Sequence, residues 1–430
     1  MKRVTPSRSK LLIWAAGGLL ALFILLPFAL SGRNKIAQAQ PAGYLWAGDP
    51  CLAPDPPGEG VATTFPAAEG GPIQPVRMVV DPYPTLDGIA LDPENNLAVM
   101  SDENRNSVLM YHLNSGSLSS AITPPLRRII GPDTGVGYIA GVAVDPARRE
   151  IYVVNNDIED RLVVFHYDDD GDATPARTLY IPHQSWGISL NTARHELALT
   201  VQQLHMVAIY RQDASKLDPP VRIIRGPATG MADPHGVYWD TSHHEIVVAN
   251  DGSHSVITAY GAYNAPVALK TPFVSQGRFE APSITVYPDT SRGNVTPIRT
   301  IQGSRTELDW PMGVAVDEVH NEIAVANNGD NSILIFRRSD HGNVAPLRVI
   351  RGSQTGIVGP VGVAFDRKDG DLWVANFDDH TALVFPRAAA GNAAPTRIIR
   401  NAPAGTPTSG FDNPYAAAYD SKRGEILVPN

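Results

Sequence analysis

The chain has 430 residues, 35 Lys and Arg against 44 Asp and Glu, a formal charge of −9 and a single cysteine. The acidic balance argues against binding through a phosphate backbone, so no nucleic-acid partner is expected. One cysteine excludes an internal disulfide framework, a cysteine-rich zinc site and an attached c-type haem.

Residues 1–10 form a basic segment carrying Lys2, Arg3, Arg8 and Lys10. An uncharged, mostly apolar run follows from Leu11 to Leu30. As a helix it would be about 30 Å long, enough to cross a bilayer. Because the positive flank comes first, the bulk of the chain is expected outside the cytoplasm, periplasmic or at the cell surface. Ala37-Gln38-Ala39 has the small-x-small form of a signal-peptidase site, so a transmembrane anchor and a cleaved signal with a secreted product both stay open. Residues 31–60 read as a linker.

From residue 61 to 430 the chain repeats itself. One landmark is Gly-x-x-x-Asp, as in Gly88…Asp92, Gly141…Asp145, Gly236…Asp240, Gly313…Asp317 and Gly362…Asp366, with variants Gly187…Asn191 and Ala416…Asp420. An apolar strand begins soon after each, at Asn96, Glu150, Glu196, Glu245, Glu322, Asp371 and Glu425. A third strand follows, then a fourth marked Pro-x-Arg, from Pro75/Arg77 to Pro395/Arg397. Both landmarks count seven units. Short strands rich in Val, Ile and aromatics with turns between them suit four-stranded antiparallel blades, and the spacing suits one propeller blade per unit. The expected fold is all-β, a seven-bladed β-propeller preceded by one transmembrane helix.

Two irregularities qualify the pattern. Between Gly236 and Gly313 the spacing is too long for one blade. After Ser255–Tyr260, Asn264-Ala265-Pro266 resembles a fourth strand without its Arg, and Ser283–Arg299 then gives strands three and four again, so an extra hairpin or excursion is expected near residues 261–282. At the ends, the seventh unit stops after two strands, while Val61–Phe65 and Pro75–Val80 resemble a missing third and fourth. The ring is therefore expected to close by pairing the N- and C-terminal strands in one blade.

Pro311-Met-Gly-Val-Ala-Val-Asp317, Glu322-Ile-Ala-Val-Ala-Asn327 and Ser332-Ile-Leu-Ile-Phe336 resemble the NHL and YVTN families of extracytoplasmic β-propellers. The resemblance covers about residues 61–430. It implies architecture rather than activity, since such families mix ligand-binding, scaffold and enzymatic members.

The Asp of each Gly-x-x-x-Asp reads as a turn-forming side chain, and the Arg of each Pro-x-Arg as a structural donor or solvated charge. His166-Tyr-Asp-Asp-Asp-Gly-Asp172 has the look of a calcium loop, but it aligns with Ser339–Asn343 and Ala388–Asn392 and reads as a hairpin. More informative are the positions that the repeat leaves free. The residue before each inner-strand Gly should enter the channel: Asp87, Ala140, Trp186, His235, Met312, Val361 and Tyr415, with Trp310 nearby. Of these, Asp87, Trp186, His235, Trp310, Met312 and Tyr415 form the candidate ligand site at the channel mouth, joined by loop residues such as Asn155, Asn250, Asp251, Asn327 and Asn376. No catalytic set is assigned and no cofactor is predicted, with calcium the one ion considered. The expectation is a membrane-tethered binding or scaffold module for a protein partner or small ligand. The alternatives are a calcium-dependent hydrolase resembling the gluconolactonase-like propellers and a lyase resembling the propeller lyases that use channel histidines.

Overall fold

The computed structural model describes residues 60–66, 77–156, 160–254, 278–406, 418–420 and 425–429. Within them the chain forms seven four-stranded antiparallel sheets. Six of these close into a ring, and the architecture is a six-bladed β-propeller.

Blade 1 contains strands Leu86–Asp92, Leu97–Asp102, Ser107–His112 and Arg127–Ile129. Blade 2 runs from Ile139–Asp145 to Arg177–Tyr180, and blade 3 from Ser185–Asn191 to Arg222–Arg225. Blade 4 has inner strands Pro234–Asp240 and Glu245–Asn250, completed by Ser283–Pro288 and Arg299–Gln302. Blade 5 extends from Pro311–Asp317 to Arg348–Ile350, and blade 6 from Pro360–Phe365 to Arg397–Arg400.

Each blade is held to the next by an apolar layer, and six such layers go round the ring. One joins blades 1 and 2 through Val99, Met110, Ile151 and Phe165. The layer that closes the ring packs Met100 and Tyr111 of blade 1 on Trp373 and Ile399 of blade 6. At the centre, each inner strand has a bulge that sets its pre-Gly residue and its Gly opposite a single partner. The glycines are needed because the neighbouring backbone is so near. A Cβ at Gly88, Gly141, Gly187, Gly236, Gly313 or Gly362 would fall no more than 2.7 Å from the carbonyl oxygen of the pre-Gly residue in the next blade. The series ends with Gly362 against the Asp87 carbonyl, so blade 6 abuts blade 1 with no room for a seventh.

This corrects the seven-bladed expectation. The first and last strands do pair, Gly60–Pro66 with Glu425–Pro429, flanked by Arg77–Asp81 and Ala418–Asp420. Their sheet is not the blade that closes the ring. Closure comes from blade 6 on blade 1, reinforced by Tyr111 donating to Asn401 Oδ1 at 2.6 Å, by the Ser117–Ile398 bridge and by Arg397 donating to the Leu113 carbonyl. The terminal unit carries the same landmarks as a blade, but among the described residues its sheet is not one of those stacked round the ring.

Residues 11–30, expected to span a membrane, lie outside the described residues, as do the basic segment and the linker up to residue 59. Among the described residues no helix is long and apolar enough to cross a membrane. Blade 4 takes its third strand from the later of the two expected segments. Its third strand is Ser283–Pro288, with Asn250 paired to Ser283, so the excursion leaves between the second and third strands. Its stem is a short hairpin of Ser253–His254 with Arg278–Phe279, and residues 255–277 are outside the described residues.

Candidate functional site at the channel mouth

The repeated polar residues are structural. Asp92, Asp145, Asn191, Asp240, Asp317 and Asp366 each accept backbone N–H groups two or three residues on, closing the turn between the first two strands. In blades 2 to 5 the Pro-x-Arg arginine meets the acid that opens the second strand. Arg177 grips Glu150 at 2.6 and 2.9 Å, Arg222 grips Glu196 at 2.9 and 2.9 Å, Arg299 grips Glu245 at 2.8 and 2.5 Å, and Arg348 grips Glu322 at 2.7 and 2.8 Å. These fork-to-fork pairs staple second and fourth strands, which do not pair with each other. The acidic run at Asp168–Asp172 is likewise taken up locally. Asp169 accepts from His166 N, Asp170 from Arg128 N and Asp172 from Asp133 N, which ties its hairpin to blade 1.

A channel of about 820 Å³ runs along the ring axis, lined by all six inner strands. Asp87, Ala140, Trp186 and Val361 line it at the level of the glycines. Towards the turns between the first two strands, the wall becomes Leu91, Leu190, Tyr238 and Phe365, with Arg367 and Lys368 at the rim. The opposite end, where the loops between second and third strands gather, carries the polar cluster.

There blades 2 to 4 break the sixfold pattern. Asn156 donates to Gln202 Oε1 at 3.2 Å, and the Gln202 amide meets His235 Nε2 at 2.7 Å. His235 Nδ1 faces the Asp233 backbone carbonyl at 3.2 Å, and the Trp186 ring meets the imidazole edge-on at 5.0 Å. Asp251 follows directly, its N–H bonded to the Asp233 carbonyl and its Oδ1 accepting from Ser253 N at 2.6 Å. One ligand atom from each of Asp233, His235 and Asp251 falls within 4.8 Å of the other two. His235 is 4% exposed, and burial lowers its pKa, so it is held neutral. Burial pushes Asp233 and Asp251 up to about 7, and Asp233 adds to the rise at Asp251.

The backbone that presents this cluster is strained in a repeated way. The residue leading into the inner strand is left-handed in five successive blades: Tyr138 at φ 48, Gln184 at 57, Asp233 at 53, Trp310 at 50 and Gly359 at 56. Only Gly359 takes this conformation freely. For the others it costs about 1–2 kcal/mol each, least for Asp. In each blade the carbonyl of that residue accepts the first N–H after the second strand, as Asn328 N does with Trp310. The mouth is therefore built by a fixed backbone whose side chains vary from blade to blade.

Of the sequence candidates, the structure brings Trp186 and His235 into contact. Asp87 is buried on blade 1, across the ring from blade 4. Met312 is 8% exposed, its carbonyl backed by Gly236. Trp310 stands 54% exposed at the rim of blade 5. Tyr415 lies outside the described residues. Asp233, Gln202 and Asn156 were missed by looking only at the residue before each Gly. Comparing the residues that lead into each inner strand would have exposed Asp233, where neighbouring blades carry Gln184 and Trp310.

No protein-family model matches the chain, and no curated protein is significantly similar to it.

Proposed function

We propose that this propeller is a binding module that captures a small ligand at the channel mouth between blades 2 and 4, outside the cytoplasm. The observation that carries this reading is the gathering of Asn156, Trp186, Gln202, Asp233, His235 and Asp251 in one sector of the ring, at positions whose counterparts in the other blades differ. Trp186 lines the channel and its ring meets His235, so an aromatic wall stands beside a few convergent polar groups, which suits recognition of a small polar molecule. The basic flank and apolar run at residues 1–30 support export, and the strand pattern resembling NHL and YVTN repeats fits that setting.

The test is mass spectrometry of small molecules released on denaturing the full-length protein purified under mild conditions from its own host. One compound per chain, lost in Trp186→Ala and His235→Ala variants that still melt cooperatively, is the expected result. Wild-type protein that releases nothing, or a compound that both variants retain, would overturn the reading.

A metal-dependent hydrolase is the second reading, and the Asp233, His235 and Asp251 grouping favours it. A turnover screen on lactone esters, with and without added divalent ions, separates it from simple capture.

A further inference from the structure

We propose that Asp233, His235 and Asp251 form a binding site for a divalent cation of the zinc class, with one coordination position left open to the ligand at the mouth. This deepens the reading of the mouth as a binding site and rests on it for the role of the open position.

The first argument is the treatment of charge. One oxygen of Asp233, Oδ1, is buried without a hydrogen-bond partner. Among the described residues neither Asp233 nor Asp251 forms a salt bridge with an arginine or lysine. Elsewhere in the ring, partly buried acids such as Glu150, Glu245 and Glu322 face an arginine. Two carboxylates brought together away from water need a proton or a cation between them. A divalent ion would neutralise both and give Asp233 Oδ1 its partner.

The second argument is geometry. The 4.8 Å limit on the three donor atoms compares with roughly 3.4 Å between ligand atoms of a tetrahedral site with bonds of about 2.0–2.2 Å. Side-chain rotation of about an ångström would close that gap. Asp233 and His235 come from one strand entry and Asp251 from the loop hydrogen-bonded to it, so the frame is already fixed.

The third argument is the imidazole. His235 is nine-tenths buried, with Nδ1 3.2 Å from the Asp233 backbone carbonyl and 4.0 Å from Asp233 Oδ1. Its Nε2 accepts from the Gln202 side-chain N–H, while Gln202 Oε1 accepts from Asn156. Metal binding through Nδ1 places the proton on Nε2, so Gln202 must turn its oxygen to the ring and give up the bond from Asn156. That is the arrangement of metal-binding histidines, whose second nitrogen is oriented by an outer carbonyl. Gln202 is then a positioning residue.

One nitrogen and two carboxylate oxygens suit zinc or a neighbouring transition ion. Calcium prefers six to eight oxygens. Three protein ligands leave a fourth position for an anionic or carbonyl oxygen of the bound molecule. The ligand class that follows is a small carboxylate, phosphate or carbonyl compound that lays an apolar part against Trp186.

The test titrates metal-stripped full-length protein with zinc by calorimetry and with cobalt by visible absorption. One equivalent should bind, with a cobalt spectrum of low coordination number that includes nitrogen. Asp233→Asn and Asp251→Asn should each weaken zinc binding by at least ~100-fold, and Gln202→Leu by ~10- to 100-fold. Asn suits the left-handed backbone at residue 233, and a thermal melt of each variant shows whether the fold is intact. No zinc binding by wild type, equal binding by the Asp233→Asn/Asp251→Asn double variant, or binding of calcium in preference to zinc would overturn the proposal. Zinc bound as described with no small molecule released from host-purified protein would sink only the capture function. A released compound with no zinc binding would sink only the metal site.

Discussion

Two sets of acids in this ring are treated in opposite ways. On the face of the turns between first and second strands, Glu150, Glu196, Glu245 and Glu322 each meet the arginine that opens the fourth strand of the same blade. At the channel mouth, Asp233 and Asp251 meet each other, a neutral imidazole and backbone N–H groups. The first set holds a sheet together and recurs in four successive blades, 2 to 5. The second departs from the repeat and has no arginine or lysine in salt-bridge contact among the described residues, which is the contrast behind the proposed cation site.

If the staples are structural, breaking one is the largest effect available. Arg299→Met leaves Glu245 half-matched by Arg338 alone and should cost about 3 kcal/mol in urea unfolding. Asp233→Asn removes a charge with no arginine or lysine in salt-bridge contact among the described residues, so metal-free protein at pH 8 should gain stability rather than lose it. A loss as large as that of Arg299→Met would erase the distinction between the two sets.

The inter-blade contact at the axis gives the next effect. Gly362→Ala pushes a methyl group against the Asp87 carbonyl and should cost about 2 kcal/mol, as the same change at Gly313 should. A harmless Gly362→Ala beside a costly Gly313→Ala would mean that blades 6 and 1 do not abut.

A smaller effect sharpens the electrostatic half. A carboxyl whose folded pKa lies above its unfolded value binds more protons in the folded state. Metal-free stability should therefore fall as pH rises from 3.8 towards about 7, by the share owed to Asp233 and Asp251. In the Asp233→Asn/Asp251→Asn variant, that slope in urea midpoints against pH should flatten. The least effect is expected from trimming the chain to residues 82–406, which removes the terminal sheet and leaves every layer of the ring. The melting temperature should stay within a few degrees of the full chain, and a fragment that fails to fold would restore the seventh blade.

Much of the ring was legible because each blade repeats Gly-x-x-x-Asp, a second strand and Pro-x-Arg. The count was not, since Ala416…Asp420 and Glu425 carry the same landmarks, while the ring described closes with six blades. Closure depends on how closely inner strands approach, and that is set by Gly362 against the Asp87 carbonyl rather than by spacing. In blade 4, Ser255–Tyr260 has the composition of a third strand, yet Asn250 pairs with Ser283. At the mouth, Trp186 and His235 could be named from the pre-Gly rule. Asp233 could not, because its importance comes from a left-handed backbone and from Asp251, neither of which leaves a mark on periodicity.

The most direct measurement is anomalous diffraction at the zinc edge from crystals of the full-length protein grown metal-free and then soaked in zinc. The account predicts a peak bounded by Asp233, His235 and Asp251, with Gln202 turned to present its oxygen to the imidazole. An empty mouth, or zinc seated only among surface acids, would contradict it.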